Sequence, residues 1–535
     1  MSTWTERATL SGAWQHSVLR APDALFLMFE GPDGNVRSWT YGEFDLVVAR
    51  AAQFLRSHGV EPGTPVHLAL TNSPAFVALW LAATGLRAWI VPSDPMGAAP
   101  ELSGHIDRTK PAVGFCAVTR AAVYREAFSK VIGAAADRMH VVEVDESDCD
   151  LGLFGDRPLH DWPVAEARDL ASVMFTSGTT GRPKGVEITQ ANYAFAGATM
   201  AAAAGLTAKS RQLVVLPLFH ANAQYYSIAS AIWEAASVAL MHTFSASAFL
   251  RQAARHEATH ASLFAAPIRM ILSRGATPVP GVRLQHCWYA MNISDDQYET
   301  LSDLLDCSPR QLYGMTETIP AVLTDSPDDG VPSSMGFVTK GCKVRVQRPD
   351  GTETDPDEVG EIAVGGTPGI TLFAGYLNDP ETTEASYQDG WFLTGDRARR
   401  DANGRFYFDG RRADVLKVAG ENVSTVEVEQ VLAAHPAVLE AAVIGQPDPI
   451  RDEVPVCFVV AADAAHPPTV QQLHDWCAQH LTKSKRPRDI TFVDELPRTS
   501  VGKIRKFLLR DPAAESEPDA KPSEVPTEVP REVKV

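Results

Sequence analysis

Residues 176–185 read Thr-Ser-Gly-Thr-Thr-Gly-Arg-Pro-Lys-Gly and follow directly on the apolar run 171–175. Three glycines and four hydroxyl side chains at the end of a strand put many backbone N–H groups and short donors in one place, the equipment that wraps a polyphosphate. Lys184 adds a positive charge within reach. The spacing is not that of a P-loop, because Gly-x-x-x-x-Gly-Lys-Ser/Thr cannot be laid on Gly178, Gly181 and Lys184. A flexible polar turn is the plain alternative.

A second pattern, His256-Glu257-Ala258-Thr259-His260, matches the His-Glu-x-x-His of zinc proteases, which needs both histidines on one face of a helix. Here the helical pattern of 248–256 gives way at once to the strand-like run 261–267, and no third ligand follows. Zinc is not expected. The seven cysteines, at 116, 149, 287, 307, 342, 457 and 477, are widely spaced and form no Cys-x-x-Cys pair, which fits neither a disulfide framework nor a cysteine metal site.

Further segments come in a fixed order along the chain: Pro-Leu-Phe-His at 217–220, Tyr-Gly-Met-Thr-Glu at 313–317, Thr-Gly-Asp at 394–396, Gly-Arg at 410–411, Ala-Gly-Glu-Asn at 419–422 and Pro-Arg-Thr-Ser-Val-Gly-Lys at 497–503. Together with 176–185 this ordered set resembles the adenylate-forming superfamily, which includes AMP-forming acyl-CoA synthetases, luciferases and the adenylation domains of peptide synthetases. The resemblance covers almost the whole chain. The runs Asn-Ile-Ser-Asp at 292–295, Tyr-Gly-Met-Thr-Glu-Thr at 313–318 and Gly-Glu-Asn-Val-Ser at 420–424 look most like carnitine or crotonobetaine CoA ligases and related small-acid synthetases.

The resemblance implies a role for each motif. Thr176, Ser177, Gly178, Thr179, Thr180, Gly181 and Lys184 would hold the triphosphate. Tyr313 and Gly314 would face the adenine and ribose, and Thr316 would donate to a phosphate. Glu317 would bind Mg²⁺, a hard cation usually held by one carboxylate with phosphates and water. Asp396 would accept the ribose hydroxyls, with Arg411 reinforcing that contact. His220 would line the acyl pocket and gate between two half-reactions. Lys503 would be the mobile lysine of adenylation, its ammonium stabilising the charge that gathers on phosphate oxygens more in the transition state than in the ground state. Gly420 would border a pantetheine tunnel. Taken singly, each residue has a plain structural counterpart: a hairpin aspartate, a satisfied core histidine, or, for Lys503, a basic surface run with Arg498, Arg505 and Lys506.

The implied reaction is ATP-dependent activation of a carboxylic acid as an acyl-adenylate, followed by transfer to the CoA thiol with release of AMP and pyrophosphate. Members that pass the adenylate to a carrier-protein thiol or an amine, or that activate nitrite, share the N-terminal motifs. A nucleotide-binding protein without turnover would be expected to lack some of Lys184, Glu317, Asp396, Arg411 and Lys503, and this chain keeps all five.

Two departures bear on substrate and motion. Many relatives carry small residues before the Tyr-Gly motif, whereas this chain has Tyr289, Ala290, Met291 and Asn292, which suggests a short or compact acid. The hinge expected two residues after Arg411 falls on Ala413, with Asp414 next; a hinge needs a position that absorbs rotation, not a given charge. The pocket is expected from 220–226, 264–267 and 289–292. Tyr225, Tyr226 and Trp288 are either a cage for a quaternary ammonium or ordinary core.

Positioning these residues needs a large α/β body. Residues 65–91 give an apolar strand, an Asn-Ser-Pro turn, an apolar helix from Pro74 and a second strand after Gly85: a βαβ unit, hence a mostly parallel sheet covered by helices. Strands recur at 172–175, 212–216, 262–265 and 310–313, and ligands in such sheets sit beyond the carboxyl ends of strands. From about 336 to 410 short alternating runs with Asp-Gly and Asn-Gly signals predict an antiparallel β subdomain. A small mobile α+β domain is expected over 411–510, after an N-terminal domain of 1–410. Residues 511–535, with five prolines, seven acidic and three basic residues and no aromatic ring, read as a disordered tail.

With 535 residues, 45% hydrophobic and 21% charged, the chain is long enough for more than one domain, and it is neither wholly disordered nor collagenous. A net charge of −18 argues against nucleic acid or an anionic membrane as the main partner. The N-terminus lacks a signal sequence, and the most apolar stretch, 76–91, is broken by Gly85 and Arg87, so the expectation is a cytoplasmic protein. Oligomeric state is open.

Overall fold

Ser73 and Pro74 start the helix that the βαβ pattern predicts. The Ser73 hydroxyl accepts from the Phe76 amide, and Pro74 at the first turn gives up a donor that would have had no helical partner. The helix Pro74–Gly85 is buried on every side, which marks it as an interior element between layers. Its strands, Pro65–Ala69 and Trp89–Pro92, pair in parallel as neighbours.

The protein is described here from a computed structural model, over residues 7–131, 140–176, 183–291, 293–326, 330–411, 415–418, 421–449, 451–498 and 504–509. The chain divides into two compact units, with the boundary between Ala413 and Asp414. The first holds two large sheets. In the nine-stranded sheet the run Arg310–Tyr313, His286–Ala290, His260–Phe264, Arg211–Val214, Ser237–Met241 and Leu25–Glu30 is parallel throughout, with short antiparallel strands at each edge. The seven-stranded sheet contains the βαβ unit, flanked by Leu170–Thr176 on one side and Val113–Ala117 on the other.

One strand departs from the expected parallel grammar. Leu170–Thr176 runs parallel to Trp89–Pro92 but pairs antiparallel with the next strand in sequence, Lys184–Thr189. Residues 177–183 therefore connect a hairpin and not a strand to a helix, as a parallel return would need a dozen or more residues. The helix Gln190–Ala204 begins only after the second strand, capped by Thr189.

The antiparallel sheet of the first unit is built from Lys343–Gln347, Val359–Gly365, Tyr387–Gln388, Trp391–Arg400 and Phe406–Arg411. Two short strands inside 336–410 leave it. Phe337–Val338 joins the edge of the nine-stranded sheet, and Gly375–Tyr376 pairs with Lys184–Thr189 at the edge of the seven-stranded one. The second unit has its own sheet, in which Val438–Asp448 and Asp452–Ala461 form the longest hairpin. Its core gathers Leu416, Val443, Val459, Leu473 and Cys477 beneath the helices Thr425–Ala433 and Val470–His480. Among the described residues no helix is long and apolar enough to cross a membrane. Residues 511–535, expected as a disordered tail, lie outside the described ones.

Candidate active site

Tyr313 ends the strand Arg310–Tyr313, and the turn after it carries Gly314, Met315, Thr316 and Glu317. Only glycine fits at 314: a Cβ there would lie 2.9 Å from the Ala321 Cα and 3.0 Å from the Tyr226 hydroxyl. The side chains on either side of this glycine reach two different clusters.

The first forms around Asp396. The hairpin register sets Asp396 directly opposite Arg411, and Arg411 Nε donates to Asp396 Oδ1 at 3.0 Å. Tyr313 Oη donates to Asp396 Oδ2 at 2.7 Å. Burial, and then the adjacent Asp396 charge, push the Tyr313 phenol well above its ordinary range, so it stays protonated and acts as a donor. A carboxylate has about four acceptor positions. Tyr313 and Arg411 fix the orientation of both oxygens and leave acceptor capacity on each, the arrangement that receives two vicinal hydroxyls. The guanidinium is about half exposed, so the pair contributes at most about 1 kcal/mol to stability and serves mainly to orient.

The second cluster forms around Glu317, which is 4% exposed. Tyr376 Oη donates to Glu317 Oε1 at 3.1 Å, and Lys184 Nζ sits 4.7 Å over the Tyr376 ring. Burial and the Glu317 charge raise the Tyr376 phenol far above its usual value. The strand Gly375–Tyr376 pairs with Lys184–Thr189, and Phe373 N donates to the Glu317 carbonyl, so lysine, phenol and carboxylate are fixed by backbone pairing. A buried carboxylate that accepts from a phenol, with a lysine over that phenol's ring, fits the single-carboxylate coordination of Mg²⁺ beside phosphates. Tyr376 was not a candidate from sequence. Its only signal is the Gly-Tyr pair ahead of Asn-Asp-Pro at 375–380.

His220 lies on a turn held from below. The buried Asn72 donates to the carbonyls of Leu216 and Met241 and accepts from Leu218 N at 2.8 Å. Directly after it, Asn222–Ile228 is π-helical, a backbone form that recurs at functional sites. Tyr225 from this segment donates to the Thr316 carbonyl at 3.4 Å, which ties it to the Tyr313–Glu317 turn. Tyr225, Tyr226 and Trp288 are buried: Tyr225 packs edge-on to Tyr193, and Trp288 edge-on to His286. None of the three presents an open face. Tyr289 is buried with its hydroxyl on the Pro332 carbonyl at 2.9 Å. Met291, just past the strand, adopts φ 73°, a left-handed conformation that costs a side chain about 1–3 kcal/mol.

The structure thus gathers Tyr313, Asp396 and Arg411 in one cluster and Glu317 and Lys184 with Tyr376 in another, joined by the turn that carries Gly314 and Thr316, with the segment following His220 tied to that turn. Thr176 is the last residue of its strand. Ser177, Gly178, Thr179, Thr180, Gly181, Asn292, Ala413, Asp414, Gly420 and Lys503 lie outside the described residues. The zinc-like pattern is dismantled: His256 lies just past the helix Phe249–Arg255 and bonds Glu30 Oε2 at 2.7 Å, while His260 in the next strand bonds Thr259 and the Ala204 carbonyl. All seven cysteines are free.

The family model described as "AMP-binding enzyme" matches residues 14–377, and the one described as "AMP-binding enzyme C-terminal domain" matches 427–503. The chain is 31% identical over 497 residues to a crotonobetaine/carnitine–CoA ligase of Proteus mirabilis, covering 90% of this chain and 94% of that one. Among solved structures, ATP-bound MatB from Rhodopseudomonas palustris superposes with a TM-score of 0.83 at 25% identity, covering 94% and 98% of the two chains. The O-succinylbenzoate coenzyme A synthetase MenE of Bacillus subtilis, in complex with AMP, gives 0.81 at 27% identity over 93% and 98%. A family model that spans most of the chain, together with these relatives, leads to one assignment: the protein belongs to the AMP-binding enzyme family and is an AMP-forming acid–thiol ligase of the adenylate-forming superfamily.

Proposed function

We propose that the enzyme activates a small or compact carboxylic acid with ATP and transfers the acyl group to the thiol of CoA. The observation that carries this reading is the Tyr313–Glu317 turn, which joins a ribose-type carboxylate cluster at one end to a buried carboxylate beside Lys184 at the other. Asp396 receives the ribose hydroxyls, and Tyr313 and Arg411 keep its oxygens turned toward them. Lys184, with the donors of 176–181, holds the β- and γ-phosphates. Glu317 would hold Mg²⁺, which when bound neutralises phosphate charge.

The acid lies between His220 and the end of the strand His286–Ala290, where Tyr289 and Met291 limit its size. Its carboxylate oxygen attacks the α-phosphorus, the bond to the bridging oxygen breaks, and pyrophosphate leaves. Lys503 stabilises the charge on the phosphate oxygens in this step. The second unit then exchanges the face it presents by rotating about 411–414, which withdraws Lys503 and brings the Gly420 segment to the site. The thiol sulfur attacks the acyl carbon, AMP departs with the carboxylate oxygen, and the thiol proton passes to solvent.

Mass spectrometry of one reaction containing ATP, Mg²⁺, CoA and a pool of small, aryl and betaine-like acids tests the proposal. A new acyl-CoA together with AMP is expected. AMP and pyrophosphate without any thioester would refute CoA as acceptor and turn the search to carrier-protein thiols, amines and nitrite.

A further inference from the structure

Four buried side chains, three on the nine-stranded sheet and one on the helical segment after His220, carry polar atoms with no hydrogen-bond partner among the described residues. They are Asn222 Oδ1 and Nδ2, Ser262 Oγ, Trp288 Nε1 and both ring nitrogens of His286. Each of these residues is 5% exposed or less. A buried polar group left unpaired costs stability, and most such groups in folded proteins are satisfied, so a set of them in one layer calls for a partner.

The strand register puts them in that layer. His260 pairs with His286 and Ser262 with Trp288 in neighbouring parallel strands, so these four side chains project from one face of the sheet. The Trp288 and His286 rings meet edge-on with centroids 4.1 Å apart. Tyr289 turns to the opposite face and donates to the Pro332 carbonyl. Gln212, which flanks His260 on its other side, donates to the Tyr226 carbonyl and to Ser230 Oγ, so the helical segment 222–234 covers the face that carries Ser262 and Trp288. Asn222, Tyr226 and Ser230 follow at steps of four along one side of that segment.

Chain direction sets their depth. Ser230 meets Gln212 near the start of its strand, and Asn222 comes earlier, just past the turn through His220, which places it toward the carboxyl edge of the sheet, where ligands bind. Trp288 lies two residues, or about 7 Å, below Ala290 at the end of the strand, and His286 lies deeper again.

The chemistry of the groups limits what they recognise. An indole N–H can only donate, so the partner must offer an acceptor. Burial, then the Arg310 charge and His260, push the His286 ring well below its ordinary value, so it is neutral. Asn222, Ser262 and Trp288 carry no charge either. An anion or a quaternary ammonium buried among the four would find no counter-charge in them, whereas a hydroxyl or carbonyl oxygen would be satisfied.

We propose that Asn222, Ser262, Trp288 and His286 form the far end of the acid pocket, and that the acid carries a neutral hydroxyl or carbonyl oxygen, several bonds from its carboxylate, which accepts from Trp288 and Ser262. The inference rests on the ligase reading above and narrows its compact acid to an oxygenated one.

Acid-dependent AMP formation by the full-length protein with ATP, Mg²⁺ and CoA gives the test. The acids are matched pairs that differ only in the distal oxygen: 5-hydroxypentanoate and pentanoate, 5-oxohexanoate and hexanoate, 4-hydroxybenzoate and benzoate. In at least one pair kcat/KM is expected to favour the oxygenated member about tenfold, and Ser262→Ala and Trp288→Phe should each bring that ratio toward one. Without acid, the unfolding midpoint of Ser262→Ala should be unchanged or higher, because the hydroxyl it removes is unpaired. Equal use of both members of every pair, a preference that survives both substitutions, or a midpoint that falls in Ser262→Ala would overturn the inference and leave the ligase reading standing. If no carboxylic acid supports AMP formation, the ligase reading fails and this inference with it.

Discussion

Asp396, Tyr313 and Arg411, and likewise Glu317 and Tyr376, hold one another through side-chain hydrogen bonds of 2.7, 3.0 and 3.1 Å, whereas Tyr225 and Tyr226 of the π-helical segment and Trp288 and Tyr289 of the strand His286–Ala290 are fixed mainly by packing. The first region orients charge before any ligand arrives, the condition under which carboxylates act most strongly on a bound partner. The second can discriminate by volume, which is worth only about 1–3 kcal/mol per methylene. Nucleotide recognition is therefore expected to be strict and to fail sharply on single polar substitutions. Acid selection is expected to be graded and open to widening.

The largest effect is expected at the lysine proposed for the adenylation step. Lys503→Ala is expected to slow acyl-adenylate formation about 10²–10³-fold, yet leave thioester formation from a supplied acyl-adenylate nearly unchanged. Stopped-flow assays of the separate half-reactions check this, and equal loss in both would contradict the assigned role. Next, Asp396→Asn should erase a preference for ATP over 2′-deoxy-ATP that is expected to be tenfold to a hundredfold in the unaltered enzyme, the worth of a hydrogen bond to a charged group. A preference that survives the substitution would place the ribose elsewhere.

Tyr376→Phe removes the donor to Glu317 and should lower the apparent Mg²⁺ affinity by about tenfold, read from the magnesium dependence of initial rates, with little change in the KM for the acid. The smallest effect is expected at Met291, an exposed residue just past the packed strand His286–Ala290. Met291→Gly relieves a left-handed residue and frees volume, so stability should rise by about 1 kcal/mol in thermal or chemical unfolding, and bulkier acids should become substrates. An unfolding midpoint that falls, with the acid range unchanged, would show that Met291 supports the fold instead of limiting the pocket.

Much of this was legible in the sequence because the signals are local. Ser73-Pro74 and the apolar runs at 65–92 state a strand, a helix cap and a strand without reference to anything distant. The motifs at 313–317, 394–396 and 410–411 lie within single turns or hairpins, and the register that joins Asp396 to Arg411 follows from one β-hairpin. What stayed hidden depends on long-range pairing. The antiparallel return of Lys184–Thr189 is separated from Leu170–Thr176 by seven residues and lacks a two-residue turn signal. Tyr376 reaches Glu317 only because a two-residue strand leaves the β subdomain for another sheet. Tyr124, His67, Ser93 and His105 join through hydrogen bonds from two helices, one strand and the residue just past another strand, and each alone reads as ordinary core. Trp288 and the tyrosines at 225 and 226 are readable from sequence as a cage or, more simply, as core, and their burial, with Tyr225 against Tyr193 and Trp288 against His286, agrees with core.

The central claim, that the acid's own oxygen attacks the α-phosphate and leaves with AMP, is open to one isotope measurement. The enzyme is incubated with ATP, Mg²⁺, CoA and a pool of carboxylic acids labelled with ¹⁸O in both carboxylate positions, and the nucleotide product is weighed by mass spectrometry. The account predicts AMP carrying one ¹⁸O atom, formed in step with acyl-CoA. Unlabelled AMP, or ADP with labelled inorganic phosphate, would contradict it.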